Sequence, residues 1–83
     1  MNLPPGTLVR LSEYFYDDIL KGRKYARIYH NTKPSDQTHF YMDTGSVGIF
    51  LERFETGKNF KWCRVLFPGG VGWVDSHSLE EVE

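Results

Sequence analysis

The sequence predicts an all-β domain, and three observations predict it. Apolar and polar residues alternate at period two over several short runs rich in Val, Ile, Phe, Tyr and Trp. Turn chemistry separates those runs, at Pro4-Pro5-Gly6, Glu55 to Asn59 and Pro68-Gly69-Gly70. Aromatic residues make up 16% of the 83 residues, thirteen side chains in all, which is enough to build a small core without disulfides or metal. The length itself predicts a single domain over residues 1–83.

The elements follow in order. Gly6 to Leu11 leaves the Pro-Pro-Gly turn as a strand with Val9 and Leu11 on one face. Ser12 to Leu20 resists this pattern, because Phe15 and Ile19, and Tyr16 and Leu20, stand four apart at helical spacing. Asp17-Asp18 and Gly22 interrupt a long helix, so the segment reads as a packed aromatic loop. Tyr25 to His30 is a strand with apolar bulk on both faces, Asn31 to His39 a polar loop, and Phe40-Tyr41-Met42 a short strand. Ser46 to Phe54 is the clearest strand, with Val47, Ile49 and Leu51 sharing a face.

After the turn at Glu55 to Asn59, Phe60 to Phe67 alternates, with Cys63, Val65 and Phe67 on one side and Trp62, Arg64 and Leu66 on the other. Pro68-Gly69-Gly70 turns the chain back into Val71 to Val74, because glycines supply the positive φ of tight hairpins. Ser76-His77-Ser78 fits one turn of 3₁₀ helix with Ser76 as its cap, and Leu79 to Val82 closes the chain.

Composition removes several classes. No apolar run approaches the roughly 18–20 residues of a membrane span, and the first six residues lack the features of a leader. One cysteine, Cys63, rules out a disulfide framework and Cys-rich zinc modules; a small buried hydrophobe in a reducing, cytoplasmic compartment is the expectation. Net charge is −1, and the pI near 6.3 disfavours a strongly basic nucleic-acid binder. Charge is nevertheless segregated. Lys21 to Lys33 holds five bases and no acid, and Asp75 to Glu83 four acids and no base.

From residue 45 onward the order is strand, turn, strand, Gly-rich hairpin, strand, 3₁₀ turn, short strand. The residues Gly45-Ser46-Val47-Gly48-Ile49, Trp62-Cys63-Arg64-Val65, Gly72-Trp73-Val74 and Leu79-Glu80-Glu81-Val82, with Gly6 to Leu11 in front, resemble the SH3-like small β-barrel. The style of the tail is closest to short bacterial and bacteriophage SH3-like proteins. This resemblance implies a five-stranded barrel from residues 6–12 and 45–83, with a 3₁₀ turn before the last strand. Residues 13–44 are then an extended first loop containing its own hairpin, with Tyr25–His30 and Phe40–Met42 as arms. Gly48 and Gly72 fit places where a strand coils or another backbone passes close.

The resemblance also implies a binding surface. Trp62 matches the family's ligand-stacking Trp, and Glu13 to Asp18 supplies aromatics and acids where the first loop begins. The Pro and Tyr that complete a groove for proline-rich peptides are missing from Asp75-Ser76-His77-Ser78. Those four residues hold the letters of a hydrolase triad, yet neighbours in sequence do not converge on one point. The histidines and Cys63 lack metal-ligand spacing, and Pro68-Gly69-Gly70 lacks the Lys and helix of a phosphate loop. No catalytic residue, cofactor, metal or small-molecule substrate is therefore expected.

Three functions stay open, the third being recognition of peptidoglycan or proline-rich peptides through the Trp62 face. The first is a non-enzymatic protein–protein interaction module or small accessory subunit, acting in the host cytoplasm or the virion if phage-encoded. Its partner-binding residues would be Tyr14, Tyr16, Asp17 and Trp62, drawn from a surplus of Tyr and Trp. The alternative is a nucleic-acid-binding barrel that uses Lys21, Arg23, Lys24, Arg27, Lys58, Lys61 and Arg64 on phosphates, with Tyr25, Tyr29 and Trp62 stacking on bases.

Overall fold

The computed structural model describes residues 3–30, 38–55 and 61–82. Among them eight strands form one antiparallel sheet: β1 (Leu8–Leu11), β2 (Asp18–Leu20), β3 (Arg23–Tyr29), β4 (Thr38–Asp43), β5 (Val47–Glu55), β6 (Lys61–Phe67), β7 (Gly70–Asp75) and β8 (Leu79–Glu81). A 3₁₀ turn, Ser76–Ser78, links β7 to β8. The strand order is β2-β3-β7-β6-β5-β1-β8, with β4 also paired to β3. The fold is all-β, as read, but the sheet is open and curled with eight strands, where a five-stranded barrel and a two-stranded hairpin were expected. Among the described residues no helix is long and apolar enough to cross a membrane.

The additional strand comes from the segment read as a loop. Asp18, Ile19 and Leu20 pair with Tyr25, Lys24 and Arg23. The two residues between the arms, Lys21 and Gly22, have φ of 53° and 77°. Two consecutive positive φ values are the signature of a type I′ turn, which matches the right-handed twist of a hairpin. Asn-Gly or Asp-Gly usually marks that turn, so Lys21-Gly22 gave a weak signal. Next in the chain, β3 pairs with β4 from Tyr25↔Asp43 to Tyr29↔Thr38. Its last residue, Tyr29, reaches β7 at Trp73.

The sheet curls around one cluster: Val9 and Leu11 from β1, Ala26 and Ile28 from β3, Phe50 from β5, Cys63, Val65 and Phe67 from β6, Val74 from β7 and Leu79 from β8. Leu3, Phe40 and Met42 pack against it. On β1 and β6 the inward faces are those the alternation predicts. Cys63 is fully buried, and desolvation pushes its thiol pKa upward. The core is mostly aliphatic, with Phe50 and Phe67 its only aromatics among the described residues. The other aromatic side chains described must therefore be placed elsewhere.

On β5 the expected face does not hold together. Gly48 and Phe50 point inward, and Val47 and Ile49 point to solvent. A bulge follows, because Phe50 pairs with Val65 while Glu52 pairs with Arg64, and Leu51 drops out of the ladder. The cause is space. A Cβ on Gly48 would lie 2.6 Å from Val65 Cγ1, 2.8 Å from Phe67 Cδ1 and 2.9 Å from the Leu66 carbonyl oxygen. Only a residue without a side chain lets β5 lie this close over β6.

Gly72 plays the same part on β7, where a Cβ would meet Ile28 Cγ2 at 2.2 Å and the Tyr29 oxygen at 3.2 Å. The cap of the 3₁₀ turn is Asp75, one residue before the expected Ser76. Asp75 Oδ1 accepts the His77 N–H at 2.9 Å, and Ser78, the last residue of the turn, is buried.

Substituting Gly72→Ala forces a methyl into Ile28, a β-branched side chain packed in the core with no free rotamer to yield. The expected loss is about 1–3 kcal/mol, read as a lower urea midpoint with an unchanged slope.

Candidate functional site

With the concave side of the sheet filled, the chemistry available to a partner is what the outer surface and loops present. The segment between β1 and β2 is fixed at both ends. At its entry the Ser12 N–H donates to the Ser78 oxygen at 2.8 Å. The buried Ser12 Oγ accepts the Tyr14 N–H at 3.0 Å. Its exit is held by the Asp17 N–H donating to Tyr25 oxygen at 2.9 Å. Asp17 Oδ2 in turn accepts the Arg27 N–H at 2.7 Å.

Beside it, Asp18 receives both Nε and Nη2 of Arg27, at 2.7 and 3.1 Å. This two-point ion pair lowers the Asp18 pKa and raises that of Arg27. From β3, Lys24 donates to the Glu13 oxygen at 3.4 Å and holds its ammonium 5.1 Å from the Tyr16 ring centre.

Between these anchors, and on β2 just beyond them, apolar side chains stand in water. Tyr14 is 83% exposed, and Phe15, Ile19 and Leu20 are each more than half exposed. Next to Tyr14 lies a polar groove of about 440 Å³, lined by Arg10, Glu13, Tyr14, Gly45 and Glu80. Arg10 and Glu80 pair across it at 2.9 Å, and hydrogen bonds from Arg10 and then Ser12 hold the Glu80 carboxyl below its usual range.

Three of the four residues read as partner-binding, Tyr14, Tyr16 and Asp17, therefore lie on one loop. Tyr14 and Tyr16 are exposed, while the Asp17 carboxylate is engaged in holding the loop to β3. Trp62 sits apart from them. It is half-buried on the outer face of β6, its ring edge-on to Tyr29 with centres 5.5 Å apart. Phe54 and Trp73 form a similar pair at 6.3 Å. Phe15 belongs with the exposed loop and Ile19 and Leu20 with β2 beside it, and none of the three was read as partner-binding from sequence. Their helical spacing suggests packing, whereas Ile19 and Leu20 extend along β2 at the end of the sheet, on opposite faces, and both stay exposed.

The basic residues are dispersed by the same pairings. Arg23 bonds Asp43 at 2.6 Å, Arg27 bonds Asp18, and Arg64 lies 4.0 Å from Glu52. Lys21 and Lys61 are exposed. Lys33 and Lys58 lie outside the described residues. His77 contacts Asp75 through Nδ1 at 2.9 Å, an exposed pair that belongs to the cap of the 3₁₀ turn. Comparison with family models, with curated proteins and with solved structures found no match.

The two lowered carboxyls define an acid dependence. A carboxylate whose folded pKa lies below its unfolded value contributes stability that is complete above the unfolded value and is lost as pH falls through the folded one. For Glu80 and Asp18 the loss begins below their ordinary values of 4.5 and 3.8. Thermal unfolding followed from neutral pH downward should fall in this window, and Glu80→Gln should flatten the acid limb while slightly lowering the plateau.

Proposed function

We propose that the chain is an SH3-like small barrel serving as a non-enzymatic protein–protein interaction module or small accessory subunit. Its partner-binding face is the segment from Glu13 to Leu20. The observation that carries this reading is the exposure of Tyr14 and Phe15 on backbone anchored at both ends, with Ile19 and Leu20 exposed on β2 beside them. An exposed Tyr on a fixed loop offers a large contact area with little entropy left to lose, which is what a binding hot spot requires.

Charge supports a protein partner over a nucleic acid. Phosphate binding draws on cations free to release counterions, and Arg23, Arg27 and Arg64 each have a carboxylate alongside. The groove beside Tyr14, with its Arg10–Glu80 pair, offers both signs of charge to a polar rim.

Affinity capture on the immobilised chain from its native lysate, with and without nuclease, tests the reading. A nuclease-resistant protein should be retained, and Tyr14→Ala combined with Phe15→Ser should reduce it roughly tenfold or more, the scale of a hot-spot truncation. Retention that nuclease abolishes, or that the double variant leaves unchanged at equal fold stability, contradicts it.

A further inference from the structure

Outward side chains on β5 and β6 face each other in three register pairs: Ile49 with Leu66, Glu52 with Arg64, and Phe54 with Trp62. Each pair is complementary, joining aliphatic to aliphatic, acid to base and ring to ring. The row through the first pair continues on both sides, with Leu8 of β1 opposite Ile49 and Val71 of β7 opposite Leu66. Four aliphatic side chains thus run in line across four adjacent strands. They retain 36% to 49% of their exposure. An apolar groove of about 350 Å³ lies along the Leu8, Ile49 and Leu66 part of this row, between Val47 and Pro68.

A face built from complementary register pairs is also complementary to a copy of itself. Consider a second copy rotated by half a turn about an axis parallel to the strands, midway between β5 and β6. Each residue then lies over the equivalent of its own register partner. Ile49 meets the second copy's Leu66, Leu8 meets Val71, Glu52 meets Arg64 and Phe54 meets Trp62, and symmetry makes every contact twice. We propose that this outer face is a two-fold symmetric homodimer interface.

Charge selects a second copy over another occupant. Glu52 and Arg64 already balance within one face, so a partner of either net charge gains nothing there. A second copy instead completes an alternating square of four charges. Aligned face-to-face packing of two twisted sheets is also a standard arrangement. The curl makes this face convex across the strands, so contact is confined to a strip centred on β5–β6. Such a strip buries less than the roughly 800 Å² per partner of a stable interface, which makes the dimer a weak one. The proposal uses a different surface from the Glu13–Leu20 segment and does not depend on it.

Sedimentation equilibrium of the full chain from about 20 µM to about 1 mM, where weak dimers of this size class dissociate, tests it. The mass should rise from 9.7 kDa toward twice that value. Ile49→Glu, at an exposed position, should weaken dimerisation roughly tenfold or more. Glu52→Arg alone should weaken it too, and Glu52→Arg with Arg64→Glu should restore it. Tyr14→Ala should leave it unchanged. A folded wild-type chain that stays at 9.7 kDa throughout overturns the proposal. So does self-association that ignores Ile49→Glu, or a charge swap that restores nothing.

Discussion

Two close approaches, at Gly48 and Gly72, govern how this sheet bends. In each case a backbone lies where a β-carbon would collide with a neighbour, Val65 and Phe67 in the first and Ile28 in the second. The glycines let β5 settle over β6 and β7 over the end of β3, so that the sheet wraps one small, mostly aliphatic cluster. The choice of face on β5 follows from the same contact. Pointing Ile49 inward would gain burial of one half-exposed side chain, about 1 kcal/mol on the usual area scale. The same slip would expose Phe50 and push a branched residue into space that Gly48 leaves empty, at an overpacking cost of about 1–3 kcal/mol. The glycine face wins.

The outer surface inherits what the interior declines. Val47, Ile49 and Leu66 are outside because their neighbours Gly48, Val65 and Phe67 are inside, and strand geometry allows no third position. Aromatic residues are excluded likewise, since a core this narrow admits two phenylalanines and many small branched side chains. Tyr14 and Phe15 go to an anchored loop; Tyr29, Phe54, Trp62 and Trp73 go to edge-on pairs on the outer face. An aromatic fraction that looked like core material is largely surface, and the functional reading rests on that surplus.

How much of this was legible in the sequence varied with the range of the interaction involved. Local signals were sound. The alternation in β6, the Pro68-Gly69-Gly70 turn and the inward face of β1 depend on spacing within one strand or turn, and each is where the residues said it would be. Signals that depend on a distant neighbour were not. On β5, hydrophobicity favours Val47 and Ile49 as the inner face, and only the position of Val65 and Phe67 across the sheet reverses that preference. The basic run from Lys21 looked free because Asp43, its partner at Arg23, is twenty residues away.

Within the candidate site, Tyr14 and Tyr16 are exposed, as the surplus of aromatics in the long first loop suggested. Trp62 faces outward, on the side of β6 that the alternation assigned it, and its neighbour is Tyr29 and not the first loop. Asp75 displaced Ser76 as the cap because both residue types serve and only the backbone decides between them.

The central claim is the register of β5, on which the core, the outer face and the dimer proposal depend. A soluble paramagnetic agent added to dilute, methyl-labelled protein reads it directly, since relaxation reports the distance of each methyl from solvent. The account predicts strong relaxation at Leu8, Val47, Ile49, Leu66 and Val71, and protection at Val9, Leu11, Ile28, Val65 and Val74. Protection of Val47 and Ile49 would mean a strand slipped by one residue and would contradict it.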